Sequence, residues 1–245
     1  MISVVVPVLN EAENIARLVA EIVDASKSVP IREILYVDDG SDDATVAVLT
    51  ARRATTPLLR VIQHPRRLGQ SAAMLSGARA ATQDLLVFID GDGQNSPADI
   101  AELYASFWQE ALRNGSVAVL GERRDRFDSP LRRASSRLAN AVRKTILGDE
   151  TRDTGCSLKL MRREDFLALP YFDHMHRFLP ALLLRGGVRL VHVPVSHRPR
   201  VAGRSKYGFW NRAFVGLVDL IGVAWLARRR LPSDHAATEL RSARP

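Results

Sequence analysis

LLVFIDGDGQNSP, residues 85–97, is an unbroken apolar run that ends abruptly in a polar, glycine-broken turn. An apolar run without alternation suits a strand covered on both faces, as in a parallel sheet. Beyond the turn, Ser96-Pro97 supplies a helix N-cap followed by proline at the first helical position, and Gly115 closes that helix. Working outward toward the N-terminus, the same plan repeats. SVVVPV (3–8) precedes a helix after Asn10, EILYVDD (33–39) one from Asp42, and LRVIQ (59–63) one after Leu68. This rhythm predicts an α/β fold with a mostly parallel, doubly wound sheet flanked by helices. Ligands of such sheets gather at the carboxyl ends of the strands, where the sequence places Asn10 and Glu11, Asp38 and Asp39, and Asp90 to Gln94.

The rhythm loosens in the second half. VAVLG (117–121) reads as a strand, and 122–137 as a basic loop leading into a helix that ends near Leu147. DTGCSLKLM (153–161) reads as a strand, 174–185 as a helix and GVRLVHVPV (187–195) as a last strand. Residues 209–227 are the most apolar segment, yet Ala213–Ala227 would span roughly 22 Å against a hydrocarbon core of about 30 Å and carries Asp219 near its middle. A stripe of Gly208, Asn211, Arg212, Val215, Asp219 and Gly222 leaves an apolar face with Phe209, Trp210, Phe214 and Trp225. With basic residues on both flanks this predicts an amphipathic helix lying in a membrane interface, the alternative being a helix packed on the domain or in a dimer. The expected organisation is one domain over 1–208, with a nucleotide-sugar and metal half (1–121) and an acceptor half (122–208). An interface helix (209–230) and a flexible tail (231–245) follow.

The chain has 245 residues, 46% hydrophobic and 25% charged, which excludes wholesale disorder. The single Cys156 excludes a disulfide framework and makes a reducing cytoplasm the expected compartment. The opening MISVVVPVLNEAEN has no basic leader and reads as a first strand, not a signal peptide. The net charge is +8, but residues 1–120 are net acidic and the basic excess lies in 121–245. It clusters at Arg123/Arg124/Arg126, Arg132/Arg133/Arg137, Arg198/Arg200/Arg204/Lys206 and Arg228/Arg229/Arg230, with few aromatics between. That spacing suits phosphates better than stacked bases, and the acidic strand ends argue against a nucleic-acid partner.

Asp90 and Asp92, freed from strand geometry by glycines, can converge on one hard cation, and Gln94 adds an amide oxygen, so Mg²⁺ or Mn²⁺ suits the set. Such a metal keeps positions open for a diphosphate. A polar turn capped by Asp is the plain alternative, since D-x-D alone is a weak signal. Asp38 and Asp39 could hydrogen-bond a base or ribose hydroxyl, whereas Asp42 and Asp43 read as capping residues; Asn10-Glu11 has the same dual reading, with Asn10 as an N-cap. His64 and the other histidines show no metal-ligand spacing, and Cys156 has no partner motif.

Taken in order, VVVPVLNEAENI (4–15), YVDDGSDDAT (36–45), RRLGQSAAMLSG (66–77), LLVFIDGDGQNSP (85–97), GERR (121–124), RRASSRLAN (132–140), DTGCSLKLMRRE (153–164) and HRPRVAGRSKYG (197–208) resemble family 2 glycosyltransferases, in particular the dolichol-phosphate mannose synthase group, over about residues 2–208. The resemblance implies a GT-A type domain and an inverting, metal-dependent transfer from a nucleotide-diphospho-sugar to a polyisoprenyl monophosphate. The donor would be GDP-mannose or a UDP-hexose, and the acceptor a dolichyl or undecaprenyl phosphate at the cytoplasmic membrane face. By motif position it implies that Pro7, Asn10, Glu11, Asp38 and Asp39 contact the nucleoside, and that Asp90, Asp92 and Gln94 hold metal and diphosphate. Arg123, Arg132, Ser136, Arg200 and Lys206 would hold donor or acceptor phosphates. Cys156 stands where relatives usually carry an aromatic residue, and the long transmembrane hairpin of some bacterial relatives is missing, so the chain is expected to resemble the shorter, peripheral members. A second copy of the chain or a small membrane protein is admitted as a partner.

A lipid monophosphate is anionic near neutral pH, so it needs no strong general base. It needs cations to bring it beside a like-charged diphosphate, and an electrophilic metal behind the leaving group. The alternative reading is a family 2 enzyme acting on a sugar hydroxyl, which would need a base. A Q-x-x-R-W element would support it, and none follows residue 170.

Overall fold

The computed structural model describes residues 1–124, 146–149, 151–199 and 209–229. The strands are β1 Ile2–Val8, β2 Ile31–Asp38, β3 Leu59–Gln63, β4 Leu85–Phe88, β5 Val117–Arg123, β6 Lys159–Arg162 and β7 Arg189–Val195. The helices are α1 Ala12–Ala25, α2 Thr45–Thr55, α3 Gln70–Ala80, α4 Ile100–Asn114, α5 Arg163–Leu167, α6 Leu179–Arg185 and α7 Phe209–Arg228. The seven strands form one sheet in the order β3-β2-β1-β4-β6-β5-β7. All neighbours pair in parallel except at β6, which is antiparallel to both β4 and β5. Six strands thus point one way and β6 alone runs back, which agrees with the mostly parallel α/β fold expected.

Alternation along β1 explains the layers. Val4 and Val6 pack with Ile15 and Ile22 of α1 and Leu103 and Phe107 of α4, while Val5 faces Ala73 and Met74 of α3 on the other side. Every β1 residue except Pro7 is buried, so both faces contribute roughly 1.5–3 kcal/mol per large apolar side chain. Closeness matters as well: a Cβ at Gly77 of α3 would lie 2.4 Å from Val5 Cγ1. The register aligns Val8 with Asp38 and Asp38 with Gln63, so the carboxyl ends of β1, β2 and β3 form one level edge.

Several local expectations need correction. The strand expected at 153–161 is confined to Lys159–Arg162, because the Asp153 carboxylate is held by Arg123 and pulls 153–158 into a loop. The helix expected over 174–185 is split into a tight turn, Met175–Phe178, and α6. His174 takes φ +64°, and Pro180, which cannot sit in a helix interior, occupies the first turn of α6. Asn10 is not the N-cap of α1. Its φ is +55° and the cap falls on Glu11. Helix α2 begins only at Thr45, whose N–H donates to Asp43 Oδ1 at 2.9 Å, while Asp42 turns back to Asn10. The helix expected up to Leu147 lies largely outside the described residues, and the tail (231–245) wholly outside them.

The helix expected over 209–227 is α7, with its faces assigned differently. Asp219, expected on a polar stripe, has a side chain only 18% exposed that lies 3.4 Å from His174 Nδ1. Leu220 and Val223 are buried in the core cluster that also holds Leu182 and Leu183 of α6. The outward side carries Val218, Ile221 and Trp225, 54%, 63% and 58% exposed. Arg185 of α6 donates to the carbonyl oxygens of Leu226 and Arg229 at 3.0 and 3.3 Å, a cation at the negative end of the helix. No helix among the described residues is long and apolar enough to cross a membrane.

Candidate active site

Two loops at the carboxyl edge are stitched to each other. The Asn10 N–H donates to Ser41 Oγ at 2.8 Å, its amide nitrogen donates to the Asp42 carboxylate, and the Asp42 N–H donates back to Asn10 Oδ1 at 3.0 Å. The Glu11 N–H donates to Thr45 Oγ1 at 2.9 Å. Asn10 and Glu11 therefore bind the β1–α1 loop to the β2–α2 loop. Asp38 and Asp39, expected to face a nucleoside, are 0% and 4% exposed. Asp38 accepts the Ser41 N–H, and Asp39 accepts the N–H groups of Leu68 and Gly69, both at 2.8 Å. His64 Nδ1 lies 2.8 Å from Asp39 Oδ1. Asp39 is thus a brace that anchors the loop opening α3.

Asp90-Gly91-Asp92-Gly93-Gln94 follows β4 at this edge. Gly91 is dictated by closeness, since a Cβ there would stand 2.3 Å from Val8 Cγ1, and Gly93 takes φ +70°, open to glycine. The Asp90 N–H donates to Ser157 Oγ at 3.0 Å, and its Oδ1 accepts from Gln70 Nε2 at 2.7 Å. Asp92 is 9% exposed and its Oδ1 accepts the Gln94 N–H at 3.1 Å. Gln94 turns its Nε2 toward the Arg198 carbonyl oxygen, 3.4 Å away. Two carboxylates and one amide oxygen, with no thiolate or imidazole among them, suit a hard divalent cation that completes its shell with phosphate oxygens. No group of three His, Cys, Asp or Glu placed to hold a metal occurs among the described residues.

The turn is joined to the segment after β7. The Arg198 N–H donates to the Gln94 carbonyl oxygen at 2.9 Å, and Asn95 and His197 form an antiparallel bridge. Arg198 is clamped in turn: NH1 reaches both Glu21 oxygens at 2.8 and 2.9 Å, and NH2 reaches Ser96 Oγ at 3.0 Å. Arg123, expected on a phosphate, is engaged by Asp153 through two bonds of 2.7 Å. Asp153 is 3% exposed, so this fork braces the 153–157 loop behind Asp90. Arg132, Ser136, Arg200 and Lys206 lie outside the described residues.

Pro7 and Asp90 border a cavity of about 250 Å³, shared with Gln70, Ser157, His176 and Arg177 and floored by Lys159. Burial drives the His176 imidazole down to about 3, with Arg177, Lys159 and His174 adding to the effect, so the ring is neutral at neutral pH. Its Nδ1 lies 2.8 Å from Ser71 Oγ in α3. Cys156, 1% exposed, has its thiol pushed up by burial and is inert packing. Sequence reading passed over Gln70, Asp153, Lys159 and His176. The one available signal was a lysine inside the apolar run LKLM; for His176 there was none, since the partner Ser71 lies 105 residues away.

Residues 3–169 match the family model described as Glycosyl transferase family 2. The chain is 35% identical over 243 residues to a dodecaprenyl-phosphate galacturonate synthase of Rhizobium johnstonii, covering 96% of this chain and 69% of that one. An undecaprenyl-phosphate 4-deoxy-4-formamido-L-arabinose transferase of Edwardsiella ictaluri is 34% identical over 210 residues, 84% of this chain and 63% of its own length. The fold is shared with the mannosyl-3-phosphoglycerate synthase of Rubrobacter xylanophilus, at TM-score 0.67 and 18% identity over 98% of this chain and 78% of that one. It is also shared with the glucosyl-3-phosphoglycerate synthase of Mycobacterium tuberculosis in complex with Mn²⁺, UDP-glucose and glycerol 3-phosphate, at TM-score 0.59 and 22% identity over 96% and 82%.

Proposed function

Because the chain belongs to glycosyl transferase family 2 and is a glycosyltransferase, we propose that it transfers a sugar from a nucleotide-diphospho-sugar to a polyisoprenyl monophosphate at a membrane surface. The observation that carries this reading is the main-chain pairing of Gln94 with Arg198. It joins the acidic turn directly to the start of the basic segment HRPRVAGRSKYG (197–208), as a reaction between two phosphate-bearing substrates requires. The relatives in Rhizobium and Edwardsiella are named for dodecaprenyl and undecaprenyl phosphate, which supports the same class of acceptor here.

Asp90 and Asp92, with Gln94, would hold Mg²⁺ or Mn²⁺, which when bound offsets the charge developing on the departing nucleoside diphosphate. The protein's own share is positioning. Gln70 and Ser157 set the orientation of Asp90, Asn10 and Glu11 wall the nucleoside side, and Arg198 fixes where the basic segment starts. The phosphate nucleophile is already charged, so no side chain is required to take its proton. Arg200 and Lys206, with Arg132 and Ser136, complete the phosphate set in this proposal. The outward Val218, Ile221 and Trp225 of α7, beside Arg228 and Arg229, give this helix an apolar face with a cationic end suited to the lipid boundary. That would hold the enzyme peripherally at the cytoplasmic face.

The reading is tested by incubating the protein with labelled GDP-mannose, UDP-hexoses or UDP-galacturonate, a short polyprenyl phosphate and Mg²⁺ or Mn²⁺. Formation of a lipid-linked sugar that EDTA abolishes is the expected result. Donor binding with no lipid product from any donor would count against it.

A further inference from the structure

Lys159 stands out among the groups that positioning of the donor does not use. It is 5% exposed, sits in β6 opposite Phe88 of β4 and Leu120 of β5, and floors the cavity next to Asp90. Its ammonium donates to the Cys156 carbonyl oxygen. An ammonium carries three N–H donors, and Lys159 has no other hydrogen bond and no ion pair among the described residues. Strand packing does not ask for a cation here: the adjoining Leu158, Leu160 and Met161 are all 0% exposed. Burying an ammonium is costly even with carboxylates nearby, and burial accordingly lowers its proton affinity, with Cys156, Asp90 and Asp153 opposing. One carbonyl oxygen is a poor reason to bear that cost, because a methionine of similar length would fill the slot without it.

The cavity gives the charge a purpose. Besides Lys159 its lining includes Arg177, the neutral His176 and the Asp90 carboxylate. We propose that Lys159 is the core of an anion subsite at the inner end of this cleft, taking a substrate oxyanion that completes its hydrogen bonds. The matching chemistry is a carboxylate or a phosphate: the carboxylate of a hexuronate being transferred, or the phosphate of the incoming lipid. The subsite rests on the cleft being where donor and acceptor meet, as proposed above.

The test compares wild type with Lys159→Met in equilibrium binding, with Mn²⁺ present throughout. The ligands are UDP-galacturonate, UDP-galactose and a short polyprenyl phosphate in detergent. The variant is expected to melt no lower than wild type, to bind UDP-galactose unchanged, and to lose about tenfold or more in affinity for one anionic ligand. A loss confined to UDP-galacturonate assigns the carboxylate, and a loss confined to polyprenyl phosphate assigns the acceptor. Unchanged affinity for both overturns the proposal. Lys159→Gln, which keeps a donor for the Cys156 carbonyl, serves the same assay if the methionine variant does not fold. These readouts need no turnover, so absence of lipid-linked product would sink the functional reading without deciding this one.

Discussion

From β3 to β4 the sheet is parallel throughout, whereas from β4 to β7 one strand is reversed and the loop 153–158 intrudes behind the acidic turn. The two regions also differ in how their charges are spent. In the first, Asp38, Asp39, Asn10 and Glu11 are tied to neighbouring loops. In the second, Arg123 and Arg198 are tied to acids, while the Lys159 ammonium donates to a carbonyl oxygen. In the proposed reading the parallel region is a wall of tied loops, and the transfer takes place where the mixed region meets it, at Asp90 and Asp92.

Asp92→Asn tests that division most severely. It keeps the shape of the turn but removes charge where a cation would sit, so transfer is expected to fall by about 10²–10³ with the fold intact by circular dichroism. Asp39→Asn should do the reverse. It leaves the Gly69 or Leu68 N–H facing an amide donor, and a loss of about 2–3 kcal/mol is expected in chemical denaturation, with donor binding weakened only in proportion to the unfolded fraction. If Asp39→Asn abolished donor binding at full stability, the contrast between wall and reaction centre would fail.

Arg198→Ala sharpens the boundary between the regions. Its bonds to Glu21 are partly solvent-exposed, so the expected stability cost is only about 1 kcal/mol, while the looser 94–98 turn should lower transfer by roughly tenfold. Equal effects on stability and transfer would make Arg198 a surface strut.

The smallest expected effect is on pH dependence. His176 is held neutral in the folded chain, to about 3, whereas unfolded it takes up a proton near 6.5. The unfolded state therefore binds more protons as pH falls below about 6.5, and stability should decline by up to ~1.4 kcal/mol per unit before carboxylates begin to titrate. Melting curves between pH 7 and 5 should show a shallower decline in His176→Asn than in wild type; identical slopes would contradict the assignment.

The first region was readable in the sequence because each of its strands is an unbroken apolar run with its acids at the end, so period and polarity point to the same place. The close packing of Gly91 on Val8 left the mark of a glycine between two aspartates. The second region resisted because its ties are non-local. Arg123 meets Asp153 across 30 residues and Arg198 meets Glu21 across 177, and nothing in local spacing says which acid an arginine fork will meet. The faces of α7 misled for a related reason: Asp219 looks solvent-facing in isolation, but the turn at His174 brings an imidazole to 3.4 Å from its carboxylate.

In the proposed reading an acidic turn that would hold a metal and a basic segment that gathers phosphates share one cleft. The most direct test is ³¹P relaxation of a short polyprenyl phosphate bound to the protein in the presence of UDP and Mn²⁺. The account predicts strong paramagnetic broadening of the lipid phosphorus, reversed by substituting Mg²⁺ and weakened in Asp92→Asn. A bound acceptor whose phosphorus signal is indifferent to Mn²⁺ would contradict it.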